Sequence, residues 1–168
     1  MHIFLTGEIQ IGKSTAIREA VRRLGIQPGG FLTGFEGSRE EWPKTLYLTS
    51  LDGSERALAA RICENEGPFV NTDAFDGLGV ELLTQAKNFP LIVMDECGRF
   101  EQQSRPFQKQ VLSLLDGEVP VLGVVRKLPH ASWLDTIKAH PGVQLIEVTE
   151  CSRDGLSDRL ADLLTPYV

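Results

Sequence analysis

The sequence has no CxxC pair, no apolar run of membrane-spanning length and no excess of positive charge. Each absence excludes something. Cys63, Cys97 and Cys151 are odd in number and far apart, and His2, His130 and His140 make no zinc-type spacing with them. Reduced thiols in a cytoplasmic protein are the expectation. The longest apolar stretches, residues 91–94 and 119–125, fall far short of the ~20 residues a membrane helix needs. The N-terminus reaches Thr6-Gly7 before the apolar core of a secretory signal forms, so neither export nor membrane insertion is expected. Lys and Arg number 17 against 23 Asp and Glu, a formal net charge of −6. Nucleic acid and anionic membranes are therefore not expected partners, because binding them takes clustered positive charge.

What is present suits one globular domain over residues 1–168, with 42% hydrophobic and 24% charged residues. Short β-type runs alternate with helix-period segments, which predicts an α/β fold with a largely parallel sheet. Strands are expected at residues 2–5, 30–35, 45–50, 91–94, 119–125 and 143–148, with a turn at Asp52-Gly53. A helix is expected over 14–24, where Ile17, Ala20, Val21 and Leu24 share a face and Gly25 supplies a stop. Others should run from Ser104-Arg105-Pro106 to Asp116-Gly117, over 131–138, and along the stripe Leu156, Leu160, Leu163 and Leu164. Thr72-Asp73 is expected to cap a helix carrying Phe75, Leu78, Leu82 and Ala86. Residues 57–67 are ambiguous.

One motif outranks the rest: Gly7-Glu8-Ile9-Gln10-Ile11-Gly12-Lys13-Ser14, which matches G-x-x-x-x-G-K-[ST]. Glycines let such a loop curl until its backbone N–H groups face a triphosphate. Lys13 then offers a point charge to the β and γ phosphates, and Ser14 a hydroxyl to Mg²⁺. The helix beginning at Ser14 and continuing through Thr15 adds its positive N-terminal end. The motif lies between an apolar strand and an amphipathic helix, where this chemistry requires it.

A second apolar strand ends in two acids, Asp95 and Glu96. In phosphate-loop proteins the acid at such a strand end holds Mg²⁺, which assigns Asp95 to the metal. Glu96 then points to the other side of the strand end and can take a proton from an attacking water. Asp95-Glu96-Cys97-Gly98 also fits the D-x-x-G switch of GTPases, but no N-K-x-D stretch exists to read guanine. The G-x-G-x-x-G dinucleotide fingerprint is missing too. An arginine should offset charge in the transition state, and Arg99, Arg105, Arg126 and Arg153 are candidates. Arg126 and Arg153 are preferred, because α/β sheets place their sites at the ends of parallel strands. Glu101 is expected to pair with Arg99 or Arg105, or to help order the metal site. Trp42, Trp133, His130 and His140 form no constellation and are expected to pack.

Taken in order, Ile3-Phe4-Leu5-Thr6-Gly7, Gly12-Lys13-Ser14-Thr15, Gly30-Phe31-Leu32-Thr33, Asp95-Glu96-Cys97-Gly98-Arg99-Phe100-Glu101 and Arg153-Asp154 resemble the small P-loop nucleoside-triphosphatases of the cancer-related NTPase (THEP) type. The resemblance runs from residue 3 to about 164. It implies a P-loop NTPase fold: a RecA-like, mostly parallel sheet with helices on both faces. It implies Mg²⁺-dependent hydrolysis of triphosphates such as ATP or GTP with broad base tolerance. By matching position, residues 7–15 bind phosphates, Asp95 serves the metal, Glu96 activates water, and Arg153 lies near the base or phosphates. This chain departs from the family at Gly34-Phe35-Glu36-Gly37, where acidic and arginine residues are usual, and at Leu32 and Ser152. The alternative is a nucleotide or small-molecule kinase with an acceptor site in residues 30–50, although no compact Arg-rich lid is evident. Nothing in the sequence sets the oligomeric state.

Overall fold

The computed structural model describes residues 1–38, 40–129 and 132–168. Its strands are β1 (His2–Gly7), β2 (Gly29–Glu36), β3 (Lys44–Ser50), β4 (Arg56–Ile62), β5 (Phe69–Val70), β6 (Ile92–Cys97), β7 (Val121–Val125) and β8 (Val143–Val148). They form one sheet in the order β5-β4-β3-β2-β6-β7-β1-β8. From β2 through β8 every neighbouring pair is parallel, while β3, β4 and β5 extend the sheet antiparallel. The P-loop strand β1 and the acid-bearing strand β6 are thus separated by β7.

The helices are α1 (Lys13–Leu24), α2 (Thr72–Ala74), α3 (Val80–Ala86), α4 (Arg105–Leu115), α5 (Ser132–Lys138) and α6 (Leu156–Leu164). They cover both faces, as expected. Ile3, Leu5, Val93, Leu122 and Val124 face α1 and α6. Phe4, Phe31, Met94, Val121 and Val125 face a second core built with α3, α4 and α5. Period-2 side-chain alternation in strands buried on both sides explains why these segments read as unbroken apolar runs. Each side chain still has its own layer.

Gly30 illustrates a backbone requirement. It has φ +122°, and a Cβ there would collide with the Val93 carbonyl oxygen of β6. Only glycine lets β2 lie in register beside the acid-bearing strand.

Several expectations change. The ambiguous residues 57–67 begin within strand β4, Arg56–Ile62, whose Ala-rich sequence (Arg-Ala-Leu-Ala-Ala-Arg-Ile) has good helix formers but is held by pairing to β3. Thr72-Asp73 does not supply the cap. Asn71 occupies the cap position, and its side chain donates instead to the Leu58 carbonyl at 2.9 Å. The expected helix carrying Phe75, Leu78, Leu82 and Ala86 does form, running from Thr72 to Ala86, but its middle, Phe75–Gly79, is wound more widely than an α-helix before α3 continues from Val80. α5 is described from Ser132; His130 and Ala131 lie outside the described residues. Among the described residues no helix is long and apolar enough to cross a membrane.

Candidate active site

The loop between β1 and α1 curls through two left-handed backbone positions, Gln10 (φ +65°) and Gly12 (φ +106°). Gly7, also at positive φ, lies so close to β8 that a Cβ would sit 2.5 Å from the Val148 carbonyl oxygen. Lys13 is the first residue of α1 and is buried. Its Nζ donates to the loop's own carbonyls, Gly7 at 3.0 Å and Glu8 at 2.6 Å. Burial lowers the Lys13 pKa, while Glu96 and Asp95 raise it. Ile11 turns the other way and packs against the α1–α6 core.

The two acids stand at the end of β6, where the pairing with β7 is irregular between Met94 and Cys97, so regular side-chain alternation does not hold and both carboxylates feel the Lys13 charge. Asp95 is buried, and its Oδ1 accepts a hydrogen bond from Ser14 Oγ at 3.1 Å. Burial pushes its pKa up, against the Ser14 hydrogen bond and the Lys13 charge. Glu96 lines the loop cavity and meets Arg126 just past the end of β7, with Oε1 2.9 Å from Nε. Its pKa is also raised by burial, and Arg126 opposes the rise. A cavity of about 320 Å³ is lined by Gly7, Ile9, Gln10 and Gly12 before α1, by Lys13, Ser14 and Thr15 of α1, and by Glu96 with Arg126.

A layer of supporting bonds holds this end of β6. The Glu96 N–H donates to Thr33 Oγ1 of β2 at 3.2 Å. The Arg126 N–H donates to the Cys97 carbonyl at 3.0 Å, which ties the arginine's backbone to the acid strand. Glu101 does not pair with Arg99 or Arg105. Its carboxylate is buried and accepts the Gly98 N–H at 3.1 and 3.2 Å, while Arg99 lies over the Phe100 ring. Burial pushes the Glu101 pKa up to about 7. The Gly98 carbonyl in turn accepts from Trp133 Nε1 at 2.9 Å, which draws α5 onto the same turn.

A protein-family model described as NTPase matches residues 2–161. The chain belongs to this NTPase family. It is similar to nucleoside-triphosphatase THEP1 of Thermotoga sp. strain RQ2, 30% identical over 98% of this chain and 95% of that protein. THEP1 of Methanosarcina barkeri strain Fusaro is 29% identical over 96% of each chain. The crystal structure of THEP1 from Aquifex aeolicus aligns with a TM-score of 0.80 and 26% identity, covering 98% of this chain and 99% of that one. The solution structure of a human cancer-related nucleoside triphosphatase, 24% identical, shares the fold with a TM-score of 0.72 over 98% and 96%.

Within this NTPase, then, the expected α/β P-loop architecture holds. Lys13, Ser14, Glu96 and Arg126 converge on one cavity, and Asp95 joins it through Ser14. Arg153 does not: it is exposed in the turn before α6, with its Nε 4.0 Å from Asp154. Thr33 and Trp133 were not anticipated as supports. The Thr33 contact follows from the β2–β6 register, which pairs Leu32 with Asp95. No sequence spacing reveals the Trp133 bond.

Proposed function

We propose that this NTPase hydrolyses nucleoside triphosphates to the diphosphate and phosphate, with Mg²⁺ and with broad tolerance of the base. The observation that carries the reading is the meeting of Lys13, Glu96 and Arg126 around the curled loop. Water attacks the γ phosphorus, the bond to the β–γ bridging oxygen breaks, and Glu96 accepts the water's proton. Arg126 opposes the upward pull of burial on the Glu96 pKa and offsets charge on the γ oxygens. Lys13 exchanges the Gly7 and Glu8 carbonyls for β and γ oxygens, and loop amides of residues 7–15 hold the remaining phosphate charge.

The Ser14 hydroxyl and Asp95 carboxylate, 3.1 Å apart, are hard oxygen donors suited to Mg²⁺, which is usually held by few protein ligands plus phosphates and water. When bound, Mg²⁺ neutralises β and γ oxygen charge. The nucleoside would then lie toward the turn after β8, bringing Arg153 into range. β8 supports this by pairing directly with β1, Val148 opposite Gly7. The reading treats residues 1–168 as one P-loop domain in the cytoplasm, with three free thiols in keeping. The net charge of −6 supports a partner list without nucleic acid or membrane. Transfer to an acceptor is the weaker reading, because the full-length relatives are nucleoside-triphosphatases.

The test is phosphate release from ATP, GTP, CTP and UTP with and without Mg²⁺. Release from all four only with Mg²⁺ is expected; Mg²⁺-independent release, or turnover of one base alone, would overturn those parts of the reading.

A further inference from the structure

Beside the phosphate-loop cavity lies a larger recess of about 820 Å³. One wall is a stripe of α1, where Ser14, Ile17, Arg18 and Val21 follow the i, i+3, i+4, i+7 spacing of a single helix face. The floor is the sheet surface opposite Phe31, Leu46 and Leu48. Alternation turns Leu32, Tyr47 and Thr49 toward it. At one end stand Ser14 and Asp95; Pro28 and Leu51 mark the other. Ser14 lines both cavities, so the two meet at the start of α1.

Three features define what fits. The volume lies within the roughly 300–1,000 Å³ usual for small-molecule sites, and the lining is apolar with a few polar groups. Next, the Arg56 guanidinium lies 3.4 Å from the Tyr47 ring centroid, held by an ion pair to Glu36 at 2.9 Å. This makes a flat plate at the recess edge, and flat plates favour planar, stacking ligands. Last, Arg18 takes part in no ion pair among the described residues. It offers a positive charge on the wall facing the plate's strands.

We infer that this recess is a second ligand site, taking a small planar aromatic molecule that carries an anionic group. Gly34 sets its depth. It lies opposite Tyr47 in the β2–β3 register, and an added Cβ would meet nothing within 4 Å. A side chain at position 34 would grow into the recess without touching the core. The departure at Gly34-Phe35-Glu36-Gly37 therefore acquires a physical meaning: it leaves this pocket open. The inference rests on the recess itself and stands independently of the hydrolase reading.

The probe is 8-anilinonaphthalene-1-sulfonate, a planar aromatic sulfonate, titrated by fluorescence against the full chain with saturating Mg²⁺ and ADP. One saturable site is expected. Gly34→Trp should abolish it while leaving the thermal midpoint and ADP binding intact. Arg18→Gln should weaken it about tenfold, the loss of one charge-assisted contact. Should Gly34→Trp fold poorly, Arg18→Gln still decides, since an exposed helix position tolerates the change. Probe binding that survives both substitutions overturns the site. So does binding that appears only when ADP is left out, which would put the probe in the nucleotide cavity. Absence of saturable binding with and without ADP would overturn the site.

Discussion

Glu96 and Arg126 meet at the ends of neighbouring parallel strands, Oε1 2.9 Å from Nε, yet the N–H is not aligned for a hydrogen bond. The pair is ionic and geometrically loose. Such a guanidinium can turn toward a phosphate oxygen without breaking a well-formed bond, and its backbone stays fixed to Cys97.

If Glu96 receives the water's proton, Glu96→Gln should lower kcat by about 10²–10⁴ with little change in KM. Steady-state phosphate release measures both. Unchanged kcat in this variant, alongside a dead Lys13→Ala, would remove Glu96 from the role of base.

Arg126→Ala should lower kcat by roughly 10²–10³ and leave nucleotide affinity closer to that of the unmodified chain. Single-turnover kinetics with equilibrium nucleotide titration separate the two effects. A loss confined to affinity would make Arg126 a binding residue only.

Glu101 should give stability a pH dependence of definite sign. Its folded pKa, pushed up to about 7 by burial, exceeds the ordinary 4.5, so the folded chain binds the extra proton more tightly. Its contribution is fully present below pH 4.5 and is lost as pH rises through 7. The total change across this window amounts to on the order of 3 kcal/mol at most. Urea unfolding at pH 5 and pH 8 should show Glu101→Gln gaining on the unmodified chain as pH rises. A pH-independent difference would place the carboxyl in a more polar setting.

Gly30→Ala should destabilise by roughly 3 kcal/mol, through both a forbidden φ and a clash with the Val93 carbonyl. Because the shift falls on the β2–β6 contact, Mg²⁺-dependent turnover should fall at temperatures where the variant is still folded. Thermal unfolding paired with activity measured well below the midpoint tests this; equal stability would mean that β2 and β6 can part without cost.

The candidate site was legible because its signals are local. Gly12-Lys13-Ser14 opens a helix within the motif itself, and Asp95-Glu96 closes an apolar run that must be a buried strand. The ranking of arginines was not legible. Arg126 and Arg153 both follow buried strands, and only the sheet order separates them: β7 adjoins β6, whereas β8 sits beyond β1. Glu101 eluded pattern reading because its partner is a backbone N–H, which leaves no trace in residue spacing. Residues 57–67 stayed ambiguous for another reason. Alanine favours helices, and pairing to β3 overrode that preference through long-range hydrogen bonds.

The indole of Trp133 is buried and bonded to the Gly98 carbonyl, two residues beyond Glu96, whereas Trp42 lies at the surface, 43% exposed, with Lys44 over its ring. The chain therefore carries its own optical gauge. A shift of the 97–101 turn would alter the surroundings of one tryptophan and leave the other in solvent, so emission wavelength and quenching would resolve motion at the acid strand without any attached dye.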